Sequence, residues 1–179
     1  MKRTTEEVDI EVRFREGEER KIDTGDEVFD HLLDTLLFYM ETPATLEASG
    51  DLPHHLWEDT GMLLGRAIRD EIEETEIARY GSGLIPMDEA LVLCSIDVSR
   101  PFLNFDLDPS KKEEGFSSVL ARQFLAGFSR SLEATVHLKQ LSGRNSHHLI
   151  EAGFKALGVS LLEALKSSER TRSTKGWLR

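Results

Sequence analysis

Two pairs of adjacent histidines, each followed three residues later by a glutamate, are the most informative pattern in the sequence. His-His-Leu-Trp-Glu spans residues 54–58, and His-His-Leu-Ile-Glu spans residues 147–151. On a helix each residue advances by about 100° around the axis. The second imidazole therefore lies about 100° from the first imidazole, and the carboxylate lies about 40° from the first imidazole. Histidines four residues apart, as in zinc peptidase helices, would converge on one ion. Adjacent histidines diverge, and we therefore expect each helix to give one imidazole to each of two metals.

The remaining histidines extend this pattern to eight candidate ligands. Considered singly, His31 could simply begin a helix, and His137 could be a partnered residue of a core strand. The full candidate set is His31, His54, His55, Glu58, His137, His147, His148 and Glu151. A structural zinc site usually contains cysteine and is closed by four ligands, whereas imidazole and carboxylate without thiolate suit an octahedral ion such as Mn²⁺. The sequence thus predicts a centre of two Mn²⁺ ions with positions left for substrate or water. Because ligand imidazoles must be neutral, we expect metal to be lost below roughly pH 6.

The composition limits the partners of the chain. Its 179 residues carry a formal net charge of −11 and fit one domain or two small halves that share a core. This acidity argues against binding to nucleic acid or to an anionic membrane, because both depend on surplus lysine and arginine. No apolar run is long enough to span a bilayer, and the beginning of the chain lacks the apolar stretch of a signal peptide. The single cysteine, Cys94, fits a reducing compartment, so we expect a cytoplasmic protein.

The elements that must position these ligands repeat in the order ββαβα. Period-two and helical spacing of apolar residues predicts the first set over 8–14, 17–24, 27–40, 44–48 and 53–75, and the second over 89–99, 102–108, 117–132, 134–141 and 147–166. We expect the second strand of each set to pair with the first, as an edge hairpin in the first half. The predicted fold class is α+β with an internal duplication, in which each half is a mixed or antiparallel sheet with helices on one face. The halves, 1–82 and 83–179, join near Gly81–Gly83 and form one compact unit with a mobile C-terminal tail.

Seven stretches in order resemble the imidazoleglycerol-phosphate dehydratase family. They cover nearly the whole chain: RTTEEVDIEV at 3–12, FDHLL at 29–33, HHLWED at 54–59, ARYG at 78–81, PMDEAL at 86–91, HLKQLSGRNSHHLIEAGFKAL at 137–157 and STKG at 173–176. One histidine pair alone would be a weak signal, but seven ordered motifs are a specific one. The resemblance implies removal of water from imidazole glycerol phosphate to give imidazole acetol phosphate in histidine biosynthesis. It also implies that the eight candidate residues hold two Mn²⁺ ions per active site.

The same resemblance assigns roles to residues that the spacing alone does not single out. It implies that Glu7 and Glu151 are catalytic, although Glu7 by itself would read as an exposed strand charge. It implies that the substrate phosphate is bound by Arg79, Arg100, Lys155, Ser173 and Lys175, each of which could otherwise be an ordinary solvated charge. Lys155 also follows Glu151 by four residues, a spacing that a simple helical ion pair would explain. Finally, it implies a homo-oligomer of 24 copies with active sites between subunits, over which the tail could become ordered.

Two alternatives remain open from the residues alone. A dinuclear metallohydrolase acting on a phosphorylated small molecule would also use imidazole and carboxylate ligands to activate water. A non-enzymatic metal-binding protein would need the ligands but no substrate site. The substrate separates these possibilities, because a dehydratase removes water from imidazole glycerol phosphate without releasing phosphate.

Overall fold

The two halves form two separate four-stranded sheets. The computed structural model describes residues 1–14, 19–72 and 76–168. The strands of the first sheet are β1 (Lys2–Thr4), β2 (Val8–Phe14), β3 (Lys21–Asp23) and β4 (Ala44–Gly50), and those of the second are β5 (Tyr80–Met87), β6 (Ala90–Val98), β7 (Phe102–Asp106) and β8 (Ala134–Ser142). The helices are α1 (Glu27–Tyr39), α2 (Pro53–Glu71), α3 (Ser118–Leu132) and α4 (Ser146–Ala164). The α+β class, the duplication and the four helices are confirmed.

Both sheets have the same strand order and mixture of directions. The orders are β1-β2-β4-β3 and β5-β6-β8-β7. In each sheet the first three strands along this order are antiparallel, and the last pair is parallel. Each half therefore carries one strand before the predicted set, β1 and β5, and the Gly81–Gly83 segment lies inside β5. The Ser173 and Lys175 positions and the predicted mobile tail lie outside the described residues.

The predicted pairing of the second strand in each half is wrong. Residues 21–23 do not return beside β2 as a hairpin but pair in parallel with β4, and β7 pairs in parallel with β8 instead of with β6. The physical reason is the helix that follows each of these strands. A strand, a crossover helix and a parallel strand form one compact unit, and α1 and α3 provide that crossover. Alternating side chains fit either pairing, so the pattern in residues 102–108 could not distinguish them.

The helices of the two halves pack against each other between the sheets. α2 packs along α3, α1 packs along α4, and each helix also contacts the sheet of its own half. At the junction lie four buried aromatic rings, one from each helix. Phe29 stacks on Trp57 with ring centroids 4.0 Å apart, Phe124 meets the edge of Phe29 at 5.7 Å, and Phe154 stacks on Phe124 at 5.3 Å. No helix in the described ranges is long and apolar enough to cross a membrane.

Close contact between α2 and α3 depends on glycines at the crossing. A Cβ atom at Gly61 would overlap the carbonyl oxygen of Phe124, and one at Gly65 would lie 2.6 Å from the carbonyl oxygen of Phe128. Gly127 of α3 faces the backbone of α2 in the same way. The obstructing atoms belong to the backbone and cannot rotate away. The two helices therefore approach each other more closely than side chains would allow.

We predict that Gly61→Ala destabilises the protein by about 1–3 kcal/mol, because α2 and α3 must separate to admit the methyl group. The matched control is Gly153→Ala in α4, where the nearest contacts of the new Cβ would be side-chain ends, Leu138 at 3.1 Å and Leu107 at 3.6 Å. Higher helix propensity should leave that variant as stable as the parent or up to about 1 kcal/mol more stable. Urea unfolding at one protein concentration measures both, and equal stabilities for the two variants would contradict the close-packing argument.

The single cysteine lies in the core and should be chemically inert. Cys94 of β6 is fully buried. Burial raises the pKa of its thiol to about 12, while a hydrogen bond with Ser160 acts in the opposite direction. Because the thiolate is the reactive form, the folded protein should not react with a disulfide reagent such as DTNB at pH 8. One thiol per chain should react after unfolding in guanidinium chloride, and rapid reaction before unfolding would contradict this placement.

Candidate metal centre

Both histidine pairs occupy the first turn of a helix. In α4 the side chain of Asn145 caps the helix by accepting a hydrogen bond of 2.8 Å from the backbone N–H of His147. In α2 Pro53 is the first helical residue, where the missing N–H of proline costs nothing. Because side chains on a helix tilt toward its N-terminus, those of the first turn reach beyond the end of the helix. Both motifs therefore place their imidazoles at exposed or half-buried positions beside the core.

Three of the eight predicted ligands come together where α1 meets α4. The Nε2 atoms of His31 and His147 lie 3.0 and 2.8 Å from the same oxygen of Glu151. One ligand atom from each of these residues lies within 4.8 Å of the others. His31 is exposed, whereas Glu151 is only 7% exposed. Within residues 1–14, 19–72 and 76–168, no other group of three or more histidine, cysteine, aspartate or glutamate side chains lies close enough together to hold a metal ion.

Glu151 is held as a carboxylate by its neighbours. Burial alone would raise the pKa of its carboxyl group, but hydrogen bonds from Lys155, His31 and His147 outweigh burial and lower the pKa to about 2. Lys155 Nζ lies 2.8 Å from the second carboxylate oxygen, Oε1. The i,i+4 ion pair that the sequence allowed is therefore present, and it lies at the edge of the three-residue cluster. Glu151 therefore stays ionised across the whole physiological pH range, as a carboxylate ligand for a divalent cation requires.

The first-half motif lies in a different environment. The rings of His54 and His55 are 4.1 Å apart, and His55 Nδ1 lies 2.8 Å from Asp51 Oδ1. Hydrogen bonding to Asp51 raises the pKa of His55, and the nearby charge of Glu7 acts in the same direction. Glu7 is exposed, with its carboxylate 4.0 Å from His55. The structure therefore brings this predicted catalytic glutamate next to a predicted metal ligand. Glu58 faces α3, where Arg130 lies 3.7 Å away.

The last two predicted histidine ligands each have their own neighbours. His148 Nδ1 lies 2.6 Å from Glu89, and this hydrogen bond raises the pKa of His148. The same bond, with a further one from the Asn145 N–H, lowers the pKa of Glu89 to about 2. His137 is exposed on β8, where its Nδ1 atom lies 3.3 Å from the amide of Asn104. The chain thus joins three ligands in one cluster and leaves the other five at separate positions.

The predicted phosphate-binding residues fall into four situations. Arg79 is mostly buried and makes a two-point contact with Asp97, at 2.6 Å from Nε and 3.0 Å from Nη2. Its pKa is raised, chiefly by this hydrogen-bonded contact. Arg100 is exposed in the turn after β6, and Lys155 contacts Glu151. Ser173 and Lys175 lie outside the described residues. Of the described residues in this set, Lys155 is the one in contact with the cluster of His31, His147 and Glu151.

Sequence reasoning missed the carboxylates that contact the imidazoles. Asp51, Glu89 and Glu113 each face an Nδ1 atom, that of His55, His148 and His147 respectively. Glu113 precedes α3, also accepts a hydrogen bond of 2.9 Å from Asn145, and lies near Phe116, whose ring stacks on His147 at 4.0 Å. Only the Asp51 contact has a local signal, the helical i,i+4 spacing. Glu89 and Glu113 are far from their histidines in sequence, so no spacing rule would find them.

Comparison with known proteins agrees with this architecture. The sequence profile of imidazoleglycerol-phosphate dehydratase matches residues 24–161. The imidazoleglycerol-phosphate dehydratase of Pyrococcus furiosus is 48% identical over 179 residues, covering 99% of this chain and 100% of that protein. The enzyme of the same name from Saccharolobus islandicus strain M.14.25 is 42% identical and covers 97% of this chain and 95% of its own length.

Two solved structures share the fold. The crystal structure of the Pyrococcus furiosus enzyme in complex with (S)-C348 matches with a TM-score of 0.94 and 47% identity, over 98% of this chain and 99% of that one. The Staphylococcus aureus N315 enzyme matches with a TM-score of 0.82 and 29% identity, over 94% and 98%. A shared fold alone would not explain a family profile that matches residues 24–161 or relatives that are 48% and 42% identical over nearly their whole length. The chain therefore belongs to the imidazoleglycerol-phosphate dehydratase family, a family of dehydratases, and hence lyases, of histidine biosynthesis.

Proposed function

We propose that this protein converts imidazole glycerol phosphate to imidazole acetol phosphate by using a centre of two Mn²⁺ ions. The observation that carries the proposal is the convergence of His31, His147 and Glu151 in a chain of this family. The donor chemistry fits the ion, because imidazole and carboxylate groups converge while the one thiol, Cys94, is buried in the core. We place the reaction in the cytoplasm.

The proposed ligands are all eight histidine and glutamate residues of the motifs. His31, His147 and Glu151 would be contributed by one chain. His54, His55, Glu58, His137 and His148 do not join that cluster within the chain, so in this proposal they reach it from other copies. A homo-oligomer of 24 copies with active sites between subunits provides that arrangement. The exposed rings of His54 and His137 and the half-buried ring of His55 are accessible to such contacts.

The reaction requires loss of a carbon-bound proton from a position without a neighbouring carbonyl group. When bound, the two ions would supply positive charge that stabilises negative charge on the substrate ring. Glu7 is the stronger candidate for moving the proton, since its carboxylate is exposed and lies beside the predicted ligand His55. Glu151 is the second candidate, since its carboxylate contacts both His31 and His147 and would act as ligand and as proton carrier.

The substrate phosphate needs cations in a chain whose net charge is −11. Lys155 lies at the cluster itself, and Arg100 is exposed. Arg79 is held by Asp97, which fixes the plane of the guanidinium group. A fixed guanidinium suits phosphate oxygens, whereas lysine acts as a mobile point charge. We propose that these three residues bind the phosphate, together with Ser173 and Lys175.

The first test is conversion of imidazole glycerol phosphate by metal-stripped protein before and after Mn²⁺ is restored. We expect imidazole acetol phosphate only after restoration, with no release of inorganic phosphate. Phosphate release would favour a dinuclear metallohydrolase, and an inactive Mn²⁺-loaded protein would favour a non-enzymatic metal-binding role. Equal activity without metal would contradict the proposed metal centre but would remain consistent with the proposed dehydration reaction.

The second test removes the proposed proton carrier. Glu7→Gln keeps the size of the side chain but not its basicity, and we expect kcat to fall by about 10²–10⁴-fold with Mn²⁺ content unchanged. Glu6→Gln is the matched control, because it removes the adjacent exposed carboxylate and should leave kcat within about twofold. Loss of bound metal in Glu7→Gln, or equal kcat values for the two variants, would exclude the role proposed for Glu7.

A further inference from the structure

The second histidine of each motif is held in the same way. His55 Nδ1 lies 2.8 Å from Asp51 Oδ1, and His148 Nδ1 lies 2.6 Å from Glu89 Oε2. Both distances are those of a strong hydrogen bond to a charged acceptor. In each case the carboxylate contacts Nδ1 and leaves Nε2 on the opposite edge of the ring. Two motifs in different halves therefore share a contact that the motif itself does not contain.

The two carboxylates reach their histidines by unrelated routes. Asp51 lies in the loop between β4 and α2, four residues before His55. Glu89 lies in the turn between β5 and β6, 59 positions from His148, and its Oε1 atom accepts hydrogen bonds from the backbone N–H groups of Arg144 and Asn145. The duplication did not copy one element into both halves. The same ring nitrogen is nevertheless contacted in both, which points to a requirement of the ring.

Neighbouring acidic residues do not replace these contacts. Glu7 lies 4.0 Å from His55 Nδ1, beyond hydrogen-bond distance. Asp88 lies 3.5 Å from His148 and approaches Nε2, the opposite nitrogen. The Asp51 carboxylate is about half exposed, so an ordinary ion pair there would add little to stability. What the two contacts share is that the carboxylate engages the Nδ1 atom of the ring.

A neutral imidazole has one N–H group and one lone pair, and only the lone pair binds a metal. The nitrogen that carries the proton is set by the hydrogen bond of the ring. When Nδ1–H donates to a carboxylate, the lone pair stays on Nε2 and the ring cannot rotate about its bond to the chain. Such carboxylates also make the histidine a better electron donor toward the metal.

We propose that Asp51 and Glu89 are positioning residues that fix His55 and His148 as Nδ1–H tautomers and direct Nε2 to the metals. This inference rests on the proposed function, since it assigns both histidines to the Mn²⁺ centre. It adds two residues that act through the ligands without touching metal or substrate. Their chemistry is the same, while one is local and the other comes from a distant turn.

The first experiment measures the tautomers without metal or substrate. Solid-state ¹⁵N NMR of histidine-labelled full-length protein reports which ring nitrogen carries the proton, at a pH where the spectrum shows the rings to be neutral. His55→Gln and His148→Gln assign the two signals. We expect the Nδ1–H form for both residues, and a shift toward the Nε2–H form of His55 in Asp51→Ala and of His148 in Glu89→Ala. Asp51→Asn and Glu89→Gln retain an oxygen acceptor and should keep the Nδ1–H form.

The second experiment measures Mn²⁺ affinity by electron paramagnetic resonance of the free ion. Asp51→Ala and Glu89→Ala should each weaken binding by about 10–100-fold, and the amide variants should recover most of that loss. Asp70→Ala is the control for Asp51, because it removes an exposed i,i+4 carboxylate paired with Arg66 on the same helix. Glu163→Ala is the control for Glu89, because Glu163 also accepts a backbone N–H, that of Ser82. Both controls should bind Mn²⁺ as tightly as the unaltered protein.

Two results would overturn the proposal. One is an Nε2–H tautomer in the unaltered protein, or tautomers that do not change in the alanine variants. The other is a tautomer change with no change in Mn²⁺ affinity. Failure of the proposed function would look different, because the unaltered protein would then bind no Mn²⁺ or form no product. The tautomers are recorded without metal and would still show whether the two carboxylates set the rings.

Discussion

The junction of four aromatic rings is the packing on which the ligand positions depend. Phe29, Trp57, Phe124 and Phe154 come from the four different helices and form a continuous stack of faces and edges. Trp57 lies inside the first histidine motif, between His55 and Glu58, so burying its ring fixes the rotation of α2 about its axis. Its indole N–H also donates to Asp26, the residue that caps α1. A large buried ring is costly to displace, and the helix ends that carry the ligands are therefore held as one unit.

The same motif acquires different neighbours because the duplicated halves pack asymmetrically around this junction. In α4 the first histidine and the glutamate of the motif meet His31, which α1 contributes from the other half. In α2 the corresponding glutamate, Glu58, instead faces Arg130 of α3. Internal duplication produced two similar sets of ligands, but only one of them acquires a third ligand from its own chain among the residues that the structure describes. This difference is the physical basis for proposing that the first-half ligands act together with another copy.

The sequence predicts those parts of the fold that repeat along the chain with a fixed period. Helical spacing located all four helices, and alternation located β2 and β7, because burial on one face imposes that pattern. The strands predicted at 44–48, 89–99 and 134–141 correspond to β4, β6 and β8. Pairing is not periodic, so the parallel partners of β3 and β7 could not be derived from alternation.

The candidate site was also predictable from the sequence only in part. The histidine motifs predicted ligands on two helices, and the meeting of His31 with His147 and Glu151 follows from the packing of α1 on α4, which no local pattern encodes. Glu89 required knowledge of a turn 59 residues from its histidine.

The carboxylates around the histidines also explain how an acidic chain could use a phosphorylated substrate. Asp51, Glu89 and Glu151 are ionised next to predicted ligands, and their negative charge would attract divalent cations and repel a phosphate. Two bound divalent cations would reverse the local sign without any change in the net charge of −11. Lys155 then has a double role. Without metal its ammonium group neutralises part of the Glu151 charge. In the proposed centre, a metal bound to Glu151 would leave that ammonium group available to a phosphate, because a lysine side chain is a mobile point charge. The proposed centre would therefore couple metal binding to phosphate binding through the Glu151 carboxylate.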